Sequence, residues 1–176
     1  IAKLAVDNDI EKLRNEYNNL LQFNHPVIQK VIGFYEYKNE NKAVLLTQYY
    51  KKLSLDINMK EIKKDYKTNE NKITKPENDS SYNDIYKIIY GIVHGMKHLE
   101  DKHLFHGNLN PSNILLDKYG YPIINNIQIH TKHTDNELNK SNTSNKYLAP
   151  EIQSGEEISS KSDAFSLGVI INELFS

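Results

Sequence analysis

The apolar residues between positions 85 and 99 recur at every third or fourth place, and this spacing constrains the fold more than any other feature of the chain. Such a period places them along one face of an α-helix. Ser81 and Asp84 precede them with the spacing of a capping box, so a helix is predicted to begin there. Its apolar face has to pack against other elements of a domain. The residues of this face are Ile85, Ile88, Ile89, Ile92, Val93, Met96 and Leu99.

The segment before this helix divides into strand-like and helical patterns. Residues 1–6 form a short apolar run that predicts a strand. From Ile10 to Leu21 the apolar residues return with helical spacing, and the pair His25-Pro26 is predicted to end that helix. Residues 27–37 and 43–50 are typical of two strands joined by a polar turn.

The segment after the helix predicts shorter elements. Residues 104–105, 114–116 and 123–129 are strand-like, and a last helix is predicted to begin at a cap formed by Ser162 or Asp163. Because strands and helices are grouped along the chain instead of alternating regularly, the predicted fold class is α+β.

Composition excludes several functional classes. The chain has no cysteine, so disulfides, thiolate metal sites and cysteine nucleophiles are ruled out. Its net charge is -1 and Arg14 is its only arginine, so no nucleic-acid partner is expected. No apolar run approaches the roughly 18 residues that span a bilayer, so no membrane partner is expected and a cytoplasmic location is the default.

Residues 106–116 carry the most informative local pattern, His-Gly-Asn-Leu-Asn-Pro-Ser-Asn-Ile-Leu-Leu. It resembles the catalytic loop of protein kinases, in which H-R-D-L-K-P-x-N precedes an apolar strand. His106, Leu109, Pro111 and Asn113 match that loop in register. On this pattern the chain is identified as a member of the eukaryotic protein kinase superfamily, closest in flavour to the tyrosine-kinase-like group.

Further kinase landmarks stand in the same order as in that family. Glu16 lies in the first predicted helix before an L-x-x-x-H-P pattern, as the glutamate that pairs with the ATP-contacting lysine does. Thr47 takes the gatekeeper position within the strand predicted over residues 43–50. Residues 147–151 resemble the A-P-E segment, and residues 162–168 resemble the start of the helix that follows it.

Two residues compete for the position of the ATP-contacting lysine. Lys3 precedes Glu16 by 13 residues. A rival alignment places Leu4-Ala5-Val6-Asp7 on the V-A-I-K pattern, with Asp7 in place of the lysine. That alignment leaves only nine residues before Glu16, too few for a strand end, a turn and half a helix. Lys3 is therefore favoured.

The resemblance implies a partial bilobal kinase fold. Residues 1–50 correspond to part of the small lobe and the entry to the hinge, and residues 51–176 to part of a mostly helical large lobe. A polar loop is expected at about 60–80. The Gly-rich strands of the small lobe are missing from the match, which stops inside the helix that follows A-P-E. Poor independent folding is therefore expected.

The resemblance also implies a set of site residues. The nucleotide-binding positions are Lys3, Glu16, Thr47, Gln48, Tyr50 and Leu115, the last as the floor of the adenine pocket. The metal positions are Asn113 and Asn126. The catalytic positions are Asn108, where the family has the Asp that takes the substrate proton, and Asn110, where it has a lysine.

These catalytic positions depart from the family in their charge. Asn108 and Asn126 replace both catalytic carboxylates by amides, in a chain that contains 22 asparagines. A neutral amide accepts no proton at ordinary pH, and magnesium prefers carboxylate oxygens. Gly107 replaces the arginine that would pair with an activation-loop phosphate, and Gln128 replaces the glycine of D-F-G.

The sequence therefore predicts a pseudokinase that acts by protein binding or scaffolding, with weak ATP binding and without a tightly held magnesium ion. Two alternatives stand beside it, a residual ATP-dependent protein kinase and a structural remnant that binds nothing. Zinc is not expected at His94 and His98, because Gly95 stands where H-E-x-x-H has its glutamate.

Overall fold

The computed structural model describes residues 1–50, 52–70, 80–127 and 145–176. Within these ranges the helices and strands confirm the predicted α+β class. The strands are β1 (Ala2–Val6), β2 (Val31–Tyr37), β3 (Lys42–Thr47), β4 (Lys52–Ser54), β5 (Ile114–Leu116) and β6 (Pro122–Ile124). The helices are α1 (Asp9–Leu20), α2 (Leu55–Glu70), α3 (Ser80–Glu100), α4 (Pro150–Gln153) and α5 (Ser160–Phe175). Three short 3-10 turns cover Lys38–Glu40, Pro111–Asn113 and Asn145–Tyr147.

The first sheet has the antiparallel order β1-β3-β2, and α1 packs against it. The central strand β3 alternates buried and half-buried residues, because successive side chains of a strand point to opposite faces. Its buried residues meet the apolar stripe of α1. This core consists of Ala5, Ile10, Leu13, Leu20, Ala43 and Leu45.

The second sheet is small and lies among helices. Its order is β4-β5-β6, and all pairs are antiparallel. The buried faces of α2, α3 and α5 close over β5, so the long stripe of α3 packs as its period predicts. This larger core contains Leu55, Ile85, Ile88, Ile92, Leu109, Ile114, Ile170 and Leu174, among others.

The segment 21–29, between α1 and β2, joins the two sheets. Gln29 N–H donates to the Ile124 carbonyl at 2.9 Å, and Ile124 N–H donates to the Val27 carbonyl at 2.7 Å. The helix α3 approaches this joint closely. A Cβ atom on Gly95 would stand 2.6 Å from Ile124 Cδ1 and 2.7 Å from Val27 Cγ2, so a larger residue fits there only if these side chains shift.

Several predicted boundaries are wrong. The position of segment 21–29 between the two sheets explains the boundaries of α1 and β2. The helix α1 ends at Leu20, because the chain then turns at Gln22 and Phe23 and brings His25 against α3. Strand β2 begins at Val31 instead of residue 27, because residues 27–29 bond to β6 of the other sheet. Strand β3 ends at Thr47 instead of residue 50.

The later boundaries also differ. Residues 104–105 are not a strand, and β6 stops at Ile124 because Asn126 has a left-handed backbone with φ 57°. The loop expected at 60–80 starts no earlier than residue 71, since α2 continues to Glu70. Residues 71–79 lie outside the described residues, as does the side chain of Ser81, the predicted helix cap.

The cap of α5 is Ser159. Its hydroxyl accepts from the Ser162 amide at 3.4 Å, and the Ser162 hydroxyl accepts from the Ser159 amide at 3.0 Å, which is a reciprocal capping box. Ser162 thus takes part from the third helical position, and Asp163 does not cap the helix. Among the described helices, none combines the length and apolarity needed to cross a membrane.

Candidate functional site

The first part of the candidate site is an ion pair between β1 and α1. Lys3 Nζ lies 2.6 Å from Glu16 Oε1 and 3.3 Å from Asn126 Oδ1. Lys3 points toward α1 because side chains alternate along β1, and Glu16 lies on the helix face that meets the strand. The glutamate side chain is 19% exposed and the lysine 37%, so the pair is partly shielded from water.

The rival residue Asp7 lies elsewhere. It follows the end of β1 with φ 51°, and its carboxylate accepts from the Asn41 side-chain amide at 3.0 Å. Both residues belong to turns at the same end of the first sheet. The structure therefore brings Lys3, and not Asp7, to Glu16.

The loop that carries Asn108 is anchored on α5 by a buried carboxylate. Asp163 Oδ2 accepts from the His106 amide at 2.7 Å and Oδ1 accepts from the Gly107 amide at 3.0 Å. Gly107 has φ 73°, a conformation that glycine adopts without strain. Burial raises the pKa of Asp163 to about 6 in spite of the two amide donors. Sequence reasoning missed this role, and the only available signal was an acid among the apolar residues of a predicted helix.

His106 organises the same loop from the inside. Its ring is fully buried, and burial lowers its pKa to about 4. Nδ1 accepts from the Asn108 amide at 3.2 Å, so Nε2 carries the proton and donates to the Asn125 carbonyl at 3.2 Å. A neutral ring with both nitrogens occupied is structural and is not placed to act as a base.

The four predicted catalytic and metal positions are joined by their amides. Asn110 Nδ2 donates to Asn108 Oδ1 at 3.0 Å, and Asn113 Nδ2 donates to the Asn108 carbonyl at 2.8 Å. Asn126 Nδ2 lies 3.4 Å from Asn113 Oδ1, so these two side chains form a longer contact. Asn110 Oδ1 accepts from the Ser112 amide at 3.0 Å and caps the 3-10 turn. We call this set the amide network.

The amide network depends on nitrogen donors. Asn126 places an N–H group against the Asn113 oxygen and an oxygen against the Lys3 ammonium, so both ends of its amide face a partner of the right kind. An aspartate at 126 would keep an oxygen against Lys3 but set its other oxygen against the Asn113 oxygen, a repulsive contact that a cation such as magnesium would relieve. The residues present satisfy one another without such a cation.

The hinge residues divide between two environments. Thr47 is buried, and its hydroxyl accepts from Gln29 Nε2 at 3.0 Å. Gln48 and Tyr50 line a cleft of about 520 Å³ on the side of His25 and Lys30, and Lys3, Glu16 and Asn126 do not line that cleft. Burial raises the pKa of Tyr50, although a hydrogen bond with the Lys30 backbone opposes the shift.

Leu115 occupies the middle of β5 between two fully buried neighbours. Ile114 and Leu116 face the large core, and Leu115 is half-buried because it points to the opposite face of the sheet. Within the described ranges there is no group of three or more His, Asp or Glu side chains placed to hold a metal ion. Gln128, the substituted D-F-G glycine, lies outside those ranges.

Comparison with known proteins gives a consistent result. The sequence profile of the family "Protein tyrosine and serine/threonine kinase" matches residues 1–176. A probable serine/threonine-protein kinase samkB of Dictyostelium discoideum is 30% identical over 168 residues, which cover 93% of this chain and 27% of the relative. The tyrosine-protein kinase receptor svh-2 of Caenorhabditis elegans is 24% identical over 181 residues, 99% of this chain and 15% of the relative.

A third relative matches a shorter stretch. The eukaryotic translation initiation factor 2-alpha kinase 1 of Plasmodium falciparum is 33% identical over 94 residues, 52% of this chain and 6% of the relative. The chain thus spans well under a third of the length of each of these curated relatives, between 6% and 27%.

Proposed function

Because this chain belongs to the protein tyrosine and serine/threonine kinase family, we propose that it is a catalytically inactive member that acts through protein contacts. The amide network carries the proposal, since it fills the catalytic and metal positions with neutral groups bonded to one another. Weak ATP binding and a cytoplasmic location belong to the same proposal.

The first support is the missing base at Asn108. A positioned carboxylate at this place would take or orient the proton of the substrate hydroxyl. The Asn108 oxygen already accepts from Asn110 Nδ2 and cannot take up a proton at ordinary pH. Loss of a positioned base slows a reaction by roughly 10²–10⁴-fold. At about 1.4 kcal/mol per factor of ten, that is roughly 3–6 kcal/mol in the barrier.

The second support is the charge around the metal positions. Asn113 and Asn126 together offer amide oxygens and no carboxylate, whereas magnesium is held in kinases by an aspartate and an asparagine. One of the Asn113 oxygen's lone pairs already faces the Asn126 amide nitrogen, and Asn126 Oδ1 faces Lys3. A magnesium ion would have to displace these contacts and would still find no carboxylate ligand there.

A residual protein kinase is the second candidate, and one observation favours it. The Lys3–Glu16 ion pair, at 2.6 Å, has the arrangement that positions ATP phosphates in active kinases. Lys3 also contacts Asn126, so the ammonium group lies beside one of the predicted metal positions. In this alternative Lys3 supplies the positive charge that the metal positions lack.

The test is a thermal shift of the purified protein with ATP, with and without magnesium, followed by a phosphotransfer assay with a generic protein substrate. We expect at most a small rise in Tm with ATP, no further rise with magnesium, and no transfer. A magnesium-dependent rise together with transfer would overturn the proposal in favour of the residual kinase. No shift and no protein partner in a cross-linking screen would favour the structural remnant.

A substitution sharpens this test. Asn126→Asp keeps the contact with Lys3 and sets a carboxylate oxygen against the Asn113 oxygen, so the variant should gain a magnesium-dependent rise in Tm that the wild type lacks. The control is Asn18→Asp, which adds the same charge at an exposed position of α1 and should show no magnesium response. Equal responses of the two variants would contradict the arrangement of Asn113 and Asn126 described above.

A further inference from the structure

Three histidines stack at the joint between the two sheets. His25 belongs to segment 21–29, and His94 and His98 lie one turn apart on α3. The ring centroid of His25 lies 4.9 Å from that of His94 and 4.7 Å from that of His98, with the planes inclined by 29° and 24°. His25 Nε2 and His94 Nδ1 are 2.9 Å apart and share one hydrogen. We call these residues the histidine joint.

Aromatic side chains contact the histidine joint at two of its rings. Tyr90 stacks on His94 at 6.0 Å between centroids, and Phe23 meets the edge of His98 at 6.2 Å. In the part of the chain that the structure describes, His98 Nε2 is buried and has no hydrogen-bond partner.

The hydrogen bond between His25 Nε2 and His94 Nδ1 requires that only one of these two nitrogens carries a hydrogen. His25 Nε2 and His94 Nδ1 can be bonded only while one of them keeps its lone pair. A second proton would set N–H against N–H between rings that already lie face to face, and each further charge would repel the others at about 5 Å. The pKa of His25 is lowered by its burial and, to a lesser extent, by His98 and His94.

The charged groups around the joint offset those protons only in part. From α3, Asp101 faces His98, but its carboxylate lies 2.5 Å from Lys97 Nζ. On the other side, His25 shares its cleft with Lys30, Lys118 and Asp117. Asp117 Oδ1 already accepts from the amides of Tyr119 and Tyr121, at 2.8 Å each. Both carboxylates are therefore engaged, and the two lysines add positive charge.

We propose that His25, His94 and His98 form a proton-sensitive joint, which holds segment 21–29 on α3 while the rings share one hydrogen bond and releases it when they take up protons in mild acid. The segment so released carries Val27 and Gln29, whose backbone bonds hold Ile124. Acidification is thereby transmitted to β6, two residues before Asn126, and loosens the contact between the two sheets.

The test compares the free energy of unfolding of the wild-type chain and of His25→Gln at pH 7.5, 6.5 and 5.5. A histidine whose folded pKa lies below the unfolded value of 6.5 takes up a proton on unfolding at lower pH, so stability falls as the pH falls. Between that value and the lower folded pKa, one such proton raises the unfolding constant by up to about tenfold per pH unit. We expect the wild type to show this additional slope and His25→Gln to lack it.

His103→Asn is the matched control. His103 is exposed, lies outside the joint and has φ 56°, a conformation that asparagine tolerates. This variant should keep the wild-type slope, and the contributions of buried groups elsewhere cancel when variants are compared. Equal slopes for the wild type and His25→Gln would overturn the proposal.

A second measurement on the unaltered chain covers the case in which His25→Gln fails to fold. Hydrogen exchange at the Gln29 and Ile124 amides, corrected for the intrinsic effect of pH, should lose protection between pH 7 and 5.5 before the Ile92 amide of α3 does. Simultaneous loss at all three amides would also overturn the proposal, because it would show general acid unfolding.

Discussion

At the scale of single residues, two buried titratable groups make stability depend on pH in opposite directions. They are His106 in the loop and Asp163 on α5, which anchors that loop. The folded state keeps His106 neutral, with a pKa of about 4, so this residue makes the protein less stable as the pH falls from 6.5 toward 4. Asp163 has a raised pKa of about 6, so the folded state binds a proton more readily than the unfolded state does. Its contribution makes the protein less stable as the pH rises from about 4 to about 6, and the two effects partly cancel.

The substitution Asp163→Asn should separate these effects. An amide can accept from only one of the His106 and Gly107 amides, so the variant should lose roughly 1–3 kcal/mol through the other, unpaired donor. It also loses the titration of Asp163, so its stability should fall more steeply than that of the wild type between pH 6 and 4. Denaturant unfolding at pH 4.5, 5.5 and 6.5 measures both slopes. A constant difference across this range would contradict the raised pKa.

At the scale of elements, the packing around a helix decides whether a glycine in it can be replaced by alanine. Gly95→Ala would place a methyl group 2.6 Å from Ile124 Cδ1, so we expect a loss of about 1–3 kcal/mol from overpacking. Gly168 is the matched control on α5, where a Cβ would meet nothing within 4 Å. Gly168→Ala should stabilise the protein by about 0.5–1 kcal/mol through helix propensity. Thermal or urea unfolding of both variants measures these effects, and losses of similar size would refute the close approach.

The elements also show how far a single sequence leads. The stripe from Ile85 to Leu99 predicted α3 within one or two residues, because one long face packs on one core. The match to the kinase catalytic loop also predicted that Asn108, Asn110 and Asn113 lie near one another, since they are close in sequence. The pairing of segment 21–29 with β6 could not be predicted, because it joins residues about 100 positions apart through backbone groups that carry no side-chain pattern.

The same limit applies to the candidate site. The Lys3–Glu16 pair followed from family spacing, whereas the contact of Lys3 with Asn126 spans 123 positions and depends on how the two sheets meet. The anchor at Asp163 was misassigned as a helix cap, because an acid early in a helix suits a cap equally well. In each case the sequence indicated the chemical type of the residue. It did not indicate which residue from the other half of the molecule would contact it.

At the scale of the whole molecule, two cores are joined through a small third cluster. The first core lies between α1 and the first sheet, and the second among α2, α3 and α5. Between them lies the cluster of Ile28, Leu99, Ile124 and Ile127. Its apolar contacts, the two backbone bonds to Ile124 and the contact from Lys3 to Asn126 connect the halves, so the cooperativity of unfolding should depend on few residues.

Ile28→Ala tests that dependence. The side chain is 3% exposed, and its truncation should cost roughly 2–5 kcal/mol through lost burial and a cavity. Because the cavity opens between the cores and not within one, hydrogen exchange should show the Leu45 amide of β3 losing more protection than the Ile92 amide of α3.

Ile170→Ala is the control, since Ile170 lies fully inside the second core. If the halves unfold together, this control should lower the protection of both amides by a similar amount. Should Ile28→Ala do the same, segment 21–29 would be a rigid part of one cooperative unit, and the histidine joint could then act only on the molecule as a whole.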